Sequence, residues 1–174
     1  MGTSSSVLSP MTTDSSPSIL NTSSSNPITP MKTVLILQGL PGAGKTHFTQ
    51  GMKAVICSAD DFFYTLGGGK YAFNVTRLGE AHGSCFRKFI KACQDGEEAI
   101  VVDNTNTTAN EIAPYVLAGE AYGYNVSILR ILCDPEVAAS RNQHGVPLET
   151  IRKMAQRIAS FDPPPWWKVE TVEA

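Results

Sequence analysis

The sequence lacks the features by which membrane proteins, zinc proteins and disulfide-stabilised secreted proteins are usually recognised. Its 174 residues contain no apolar run close to the ~18 residues that a membrane-spanning helix needs. The four cysteines and three histidines show neither C-x-x-C pairs nor metal-ligand spacing. We therefore expect no membrane span and no zinc site, and we interpret the cysteines as buried apolar side chains in a reducing compartment.

Positive charge is also scarce. The formal net charge of −2 argues against a broad basic surface, so a nucleic-acid partner would be held over a small footprint. Residues 1–31 contain no Lys or Arg and consist mainly of Ser, Thr, Pro and Asn, which predicts a disordered tail. This segment lacks the charged start and apolar centre of a secretory signal. We expect a cytoplasmic protein, with organelle import through residues 1–31 as the alternative.

The strongest positive pattern lies between Val34 and Thr46. Four apolar residues, Val34–Leu37, precede a glycine-rich stretch that fits G-x-x-x-x-G-K-[ST]. Glycines allow such a loop to turn its backbone N–H groups towards an anion at the start of a helix. Lys45 would contact the β- and γ-phosphates, and the Thr46 hydroxyl would ligate Mg²⁺. The pattern predicts a nucleoside triphosphate site with Mg²⁺. Its residues are Gly39, Leu40, Pro41, Gly42, Ala43, Gly44, Lys45 and Thr46.

Strand-like and helical stretches alternate along the chain after this loop. Apolar runs that predict strands lie at residues 34–37, 54–57, 99–102 and 125–133. The alternation predicts an α/β fold of the P-loop NTPase type, with a parallel sheet between layers of helices. We expect this domain to span residues 32–162, between the tail 1–31 and a Pro- and Trp-containing C-terminal segment, 163–174.

Polar residues follow the second predicted strand at the sheet edge where ligands of such folds bind. A carboxylate at this edge can accept a proton from a hydroxyl that attacks the γ-phosphate. We assign this general-base role to Asp60. Asp61 is assigned to the cap of the following helix and is also counted among the candidate substrate residues.

Further candidates follow the third and fourth predicted strands. Asp103 follows an apolar strand. In nucleotide sites, an acid at this position holds Mg²⁺ directly or through water. Asn104, Thr105 and Asn106 either line an acceptor pocket or form an Asx-type turn, and the sequence favours neither. Arg141 precedes a Gly- and Pro-containing loop of the kind that forms a lid, so it is the candidate second cation for the transferred phosphoryl group.

With these residues in view, the sequence resembles the polynucleotide-kinase-like branch of the P-loop kinases. It looks most similar to the kinase-like domains related to the Nedd-four-binding proteins. The segments that carry the resemblance are Gly39–Thr46, Ser58–Phe63, Tyr71–Asn74, Glu80–His82, Asp103–Asn106 and Arg141–Pro147. The resemblance implies an ATP-dependent kinase that phosphorylates a polynucleotide 5′-hydroxyl. It also implies that Asp60 is the base and Arg141 a lid arginine.

The sequence departs from the phage-type polynucleotide kinases at two positions. Phe63 stands three residues after the base, where those enzymes carry an arginine, and a further lid arginine is absent near His144 and Gly145. Two alternatives therefore stay open beside the polynucleotide kinase. One is a small-molecule kinase on the same fold, and the other is an ATP-binding interaction module whose termini contact a protein partner.

Overall fold

A computed structural model describes residues 1–2 and 31–174. The predicted disordered tail therefore lies outside the described residues except at its two ends. The strands of the described part are β1 Thr33–Gly39, β2 Val55–Cys57, β3 Ala99–Asp103, β4 Asn125–Leu132 and β5 Val169–Glu173. The α-helices are α1 Lys45–Thr49, α2 Asp60–Leu66, α3 Leu78–Asp95, α4 Ala109–Ala121, α5 Pro135–Arg141 and α6 Leu148–Ala159, and a short 3₁₀ turn spans Val75–Arg77.

The described strands form one sheet in the order β2-β3-β1-β4-β5, and every neighbouring pair is parallel. β1 occupies the centre, where Val34, Ile36 and Leu37 are fully buried. Continuous apolar runs are the pattern expected of strands that helices cover on both faces. The predicted α/β fold with a parallel sheet is therefore confirmed.

Helices bury the two faces of the sheet in separate apolar clusters. Phe89 of α3 and Tyr115 of α4 pack on one face, and Ile151 and Ile158 of α6 pack on the other together with Leu40. The second cluster joins the glycine-rich loop to α6, so the packing of that face holds the loop in place. Cys57, Cys85 and Cys93 are buried, which confirms their interpretation as core side chains, whereas Cys133 is only partly buried.

β5 is a strand that the sequence analysis did not predict. It lies within the C-terminal segment and pairs in parallel with β4, from Ile128 opposite Val169 to Leu132 opposite Glu173. Its sequence, Val-Glu-Thr-Val-Glu, has no uniformly apolar face because it forms an edge of the sheet. Within the described part of the chain, every helix falls short of the length and apolarity that crossing a bilayer requires.

Candidate active site

The glycine-rich loop connects β1 to α1, as the motif predicts. Gly42 and Gly44 of this loop differ in what surrounds their Cα atoms. Gly42 and Gly44 have φ angles of +84° and +85°. A Cβ at Gly42 would lie 2.1 Å from the carbonyl oxygen of Ala138, so this glycine lets α5 pack against the loop. A Cβ at Gly44 would meet no described atom within 4 Å. The backbone at Gly44 therefore presents an open face that a phosphate group can approach.

Lys45 lies at the start of α1 beneath this loop. Its Nζ donates hydrogen bonds to the carbonyl oxygens of Gly39 at 3.2 Å and Leu40 at 2.9 Å. Burial lowers the pKa of Lys45, and the negative charges of Asp103 and Asp60 oppose this effect. Burial likewise raises the pKa of Asp103, with Lys45 acting in the opposite direction. The fold thus brings the predicted phosphate-binding lysine close to both predicted carboxylates.

Asp60 begins α2, and two aromatic side chains from distant segments lie beside its carboxylate. The Tyr71 hydroxyl donates to Oδ1 at 2.8 Å, and His144 Nε2 lies 3.9 Å from Oδ2. The Tyr71 and His144 rings also contact each other, with centroids 4.2 Å apart. The side chain of Asp60 remains 45% exposed, so it is oriented by neighbours and still accessible to a substrate.

Sequence reasoning missed Tyr71 and His144 as neighbours of Asp60. Both lie in segments that carry the family resemblance, Tyr71–Asn74 and Arg141–Pro147. The resemblance singled out the two segments, but it did not predict that they contact each other. Neither segment contains a local pattern that shows this contact.

Asp61, the neighbouring acid, contacts a different element. Its carboxylate accepts a hydrogen bond from Lys88 of α3 at 2.8 Å in an exposed ion pair. Its predicted role as the helix cap is wrong, because α2 begins at Asp60 and Ala59 occupies the N-cap position. The two neighbouring acids therefore have different surroundings, and the described contacts of Asp61 are with α3.

The hydrogen bonds that the structure gives to Asn104 are with neighbouring parts of the fold. Its side chain is nearly fully buried at the end of β3. Its Oδ1 accepts a hydrogen bond from the backbone N–H of Ala59 at 2.9 Å, and its Nδ2 donates to Cys85 Sγ at 3.4 Å. Because buried backbone N–H groups need partners, this amide fixes the turn that leads into Asp60.

Asn106 ties the same segment to β1. It adopts a φ of +47°, and its Nδ2 donates to the Leu37 carbonyl oxygen at 2.6 Å. Gln38 donates in return to the Asn106 carbonyl oxygen at 2.9 Å, and the Thr105 carbonyl oxygen accepts from the N–H of Gly39 at 3.0 Å. These contacts favour a structural role for residues 104–106, and a substrate role for them stays a prediction.

Arg141 is the last residue of α5 and is exposed. Because Ala138 of the same helix touches Gly42, Arg141 lies about one helical turn from the glycine-rich loop. The loop that follows, residues 142–147, is closed by Asn142. Its Nδ2 donates to the Val146 carbonyl oxygen at 3.1 Å, and its Oδ1 accepts from the N–H of His144 at 3.0 Å.

The side chains at this edge fit Mg²⁺ as a partner of bound phosphates. Thr46 is exposed at the start of α1, and Asp103 ends β3 near Lys45. Among the described residues there is no cluster of three or more His, Cys, Asp or Glu side chains that would hold a metal by themselves. Mg²⁺ commonly uses one or two protein ligands together with substrate phosphates, so this sparse donor set suits it.

A sequence model of the family described as AAA domain matches residues 34–159. The chain belongs to this family. Human NEDD4-binding protein 2 is 34% identical over 137 residues, which cover 74% of this chain and 8% of that protein. This chain therefore spans less than a tenth of the relative's length. The predicted resemblance to the kinase-like domains of the Nedd-four-binding proteins is confirmed.

Solved structures of kinases share the fold. A chain from the Pnkp1/Rnl/Hen1 RNA repair complex has a TM-score of 0.61 and 20% identity, covering 77% of this chain and 46% of that one. The APS kinase CysC of Mycobacterium tuberculosis, in complex with AMPPNP and APS, has a TM-score of 0.51 and 14% identity, covering 83% of this chain and 90% of that one. The AAA-domain protein described here thus has a P-loop kinase fold.

Proposed function

We propose that this AAA-domain chain is an ATP-dependent phosphotransferase that moves the γ-phosphoryl group to the 5′-hydroxyl of a polynucleotide. The observation that carries the proposal is the convergence of Lys45, Asp60 and Asp103 at one edge of the sheet. An accessible carboxylate, hydrogen-bonded by Tyr71 and flanked by His144 beside a phosphate-binding lysine, is what hydroxyl activation requires.

The donor nucleotide would lie across the carboxyl end of β1. The loop of residues 39–46 would bind its phosphates, with the γ-phosphate directed towards Asp60 and Asp103 on the β3 side. A cavity of about 390 Å³ opens on the opposite side, between the ends of β4 and β5 and α6. Leu40 of the loop lines this cavity together with Asp134 and Ile158, so it suits the base of the same nucleotide.

The acceptor would approach from the side of Asp60. Asp60 would take the proton of the attacking hydroxyl as its oxygen bonds to the γ-phosphorus and the bond to the β-phosphate oxygen breaks, releasing ADP. Lys45 and Arg141 would stabilise the negative charge on the phosphoryl oxygens. Thr46 and Asp103 would hold Mg²⁺, which supplies further neutralisation of the phosphates when bound.

The choice of a polynucleotide acceptor rests on similarity. Its support is the resemblance to polynucleotide kinases and the shared fold with a chain of an RNA repair complex. A small hydroxyl compound is the second candidate. The shared fold with an APS kinase supports it, and the net charge of −2 does not disfavour it.

An acceptor panel tests the proposal. ATP labelled in the γ-phosphate is incubated with Mg²⁺, the protein, and RNA or DNA oligonucleotides that carry a 5′-hydroxyl. Oligonucleotides with a 5′-phosphate serve as blocked acceptors, and Lys45→Ala protein shows that the activity belongs to this chain. We expect label only on 5′-hydroxyl ends and only with the wild type. If ATP binds and no oligonucleotide is labelled, the polynucleotide assignment is overturned, and labelling of small hydroxyl compounds would replace it.

A further inference from the structure

A row of aromatic rings, which we call the aromatic ledge, lies next to Asp60 and consists of the exposed Tyr64 and Phe73 and the half-buried Tyr71. Tyr64 is 44% exposed and Phe73 is 55% exposed. The ring centroid of Tyr71 lies 5.2 Å from that of Tyr64 and 6.4 Å from that of Phe73, to which it is nearly parallel. Exposed apolar side chains that cluster together commonly mark a binding surface.

Buried groups hold the ledge in position. Phe63, which is 1% exposed, packs beneath it with its ring 5.2 Å from Phe73 and 5.9 Å from Tyr71. The Ala72 N–H donates to the Phe63 carbonyl oxygen at 3.2 Å, which pins the segment that joins Tyr71 to Phe73. The ledge is thus preformed, so its own side chains have little conformational entropy to lose when a ligand binds.

The ledge begins at the candidate catalytic carboxylate. Tyr71 belongs to it through its ring and reaches Asp60 through its hydroxyl, 2.8 Å from Oδ1. An acceptor hydroxyl placed at Asp60 would therefore put the next part of the acceptor molecule over the ledge. In a polynucleotide, the part next to the 5′-hydroxyl carries bases with flat π-faces. Any base can stack on an aromatic ring, so such stacking tolerates differences in base identity.

The charge of the chain supports stacking over phosphate contacts as the source of affinity. Proteins that hold nucleic acid through its backbone use many Lys and Arg side chains, whereas this chain has 14 of them against 16 acids. Two of the basic side chains near the ledge are paired with acids, Lys88 with Asp61 and Arg77 with Glu80. On this side of the site, these two cations are already paired with acids, whereas the aromatic rings are available to contact a nucleic acid.

We infer that the aromatic ledge stacks the unpaired bases that follow the acceptor hydroxyl, so that the preferred acceptor is a single-stranded 5′ end. The inference rests on the proposed kinase function and adds the substrate class. It assigns Tyr64 and Phe73 as stacking residues and the ring of Tyr71 as the link between them and the site of chemistry.

Equilibrium binding tests the inference without requiring turnover. A short 5′-hydroxyl RNA with a fluorophore at its 3′ end is titrated with wild-type, Phe73→Ala and Tyr64→Ala protein. The same RNA with its first two bases removed is titrated in parallel. Tyr122→Ala is the matched control, since this tyrosine is 43% exposed and lies at the far end of α4.

We expect Phe73→Ala, Tyr64→Ala and base removal each to weaken binding about tenfold, and Tyr122→Ala to leave it unchanged. Base removal should cost Phe73→Ala protein less than it costs the wild type, because both changes delete the same contact. Wild-type affinity that is equal for the intact and the base-free RNA overturns the inference. Phosphoryl transfer, measured on the same samples, reports separately on the proposed function, which can fail or stand by itself.

Discussion

The two sides of the candidate active site are built differently. On the donor side, one continuous loop, residues 39–46, forms the site, and the loop backbone packs closely against α5 through Gly42. On the acceptor side, Asp60, Tyr71 and His144 come from three separate segments and meet only through their side chains. Nucleotide phosphates are a constant ligand that backbone groups can bind, whereas an acceptor differs between kinases and is read by side chains. The comparison predicts that donor-side changes affect folding and nucleotide binding together, whereas acceptor-side changes affect acceptor binding or transfer and leave nucleotide binding unchanged.

Arg141 lies between the two sides, and among these four tests its replacement should cause the largest loss of transfer rate. Its helix packs on the loop of residues 39–46, and the loop of residues 142–147 that follows brings His144 next to Asp60. We expect Arg141→Ala to reduce the transfer rate by ~10²–10³ while ATP binding changes little, because its charge is needed mainly in the transition state. Pre-steady-state transfer and calorimetric titration measure the two effects. Arg157→Ala, another exposed arginine, is the control, and equal rates for the two variants would remove Arg141 from the site.

Two glycine substitutions separate loop conformation from loop packing on the donor side. Gly42→Ala and Gly44→Ala carry the same positive φ, so both should lose ~1–2 kcal/mol of stability. Only the Gly42→Ala side chain meets Ala138, at 2.1 Å, so this variant should lose at least a further ~1–3 kcal/mol. Urea unfolding of both proteins measures the difference. Equal losses would show that α5 does not constrain the loop.

The hydroxyl and the ring of Tyr71 should have separable effects on the acceptor side. Tyr71→Phe removes the hydrogen bond to Asp60, which at ~1 kcal/mol predicts an approximately fivefold lower kcat. The KM for the acceptor should stay unchanged because the ring remains. Tyr64→Phe is the matched control, which deletes an exposed hydroxyl on the ledge. A Tyr71→Phe variant with wild-type kcat would contradict a positioning role for this hydroxyl.

The smallest effect is expected at Asp61. Its exposed ion pair with Lys88 should contribute no more than ~1 kcal/mol to the free energy of unfolding. Asp61→Asn should therefore unfold at nearly the wild-type urea concentration and transfer phosphate at nearly the wild-type rate. A loss of transfer by a factor of ~10² would instead support the predicted role of Asp61 as a substrate residue.

The sequence predicted the parts of this site that short local patterns encode. The loop 39–46 and the strands that precede it and Asp103 follow from apolar runs and a contiguous motif. β5 was missed because an edge strand with two glutamates lacks the apolar pattern of a buried strand.

The side-chain contacts required the fold. Tyr71 and His144 meet only after the chain has turned through two further strands. Burial of Asn104 and Asn106 is equally invisible locally, because their partners are backbone groups of Ala59 and Leu37 on other strands and turns. Polar residues after a strand suggest a ligand site, and only topology shows when they serve neighbouring backbone instead.

We propose that Asp60 activates an acceptor next to an independently formed nucleotide site. The decisive test is single-turnover transfer to a 5′-hydroxyl RNA together with ATP affinity, both measured on wild-type and Asp60→Asn protein. We expect equal ATP affinity and a transfer rate at least ~10² lower in Asp60→Asn. Equal transfer rates in the two proteins, or a loss of ATP binding that accounts for the slower transfer, would contradict it.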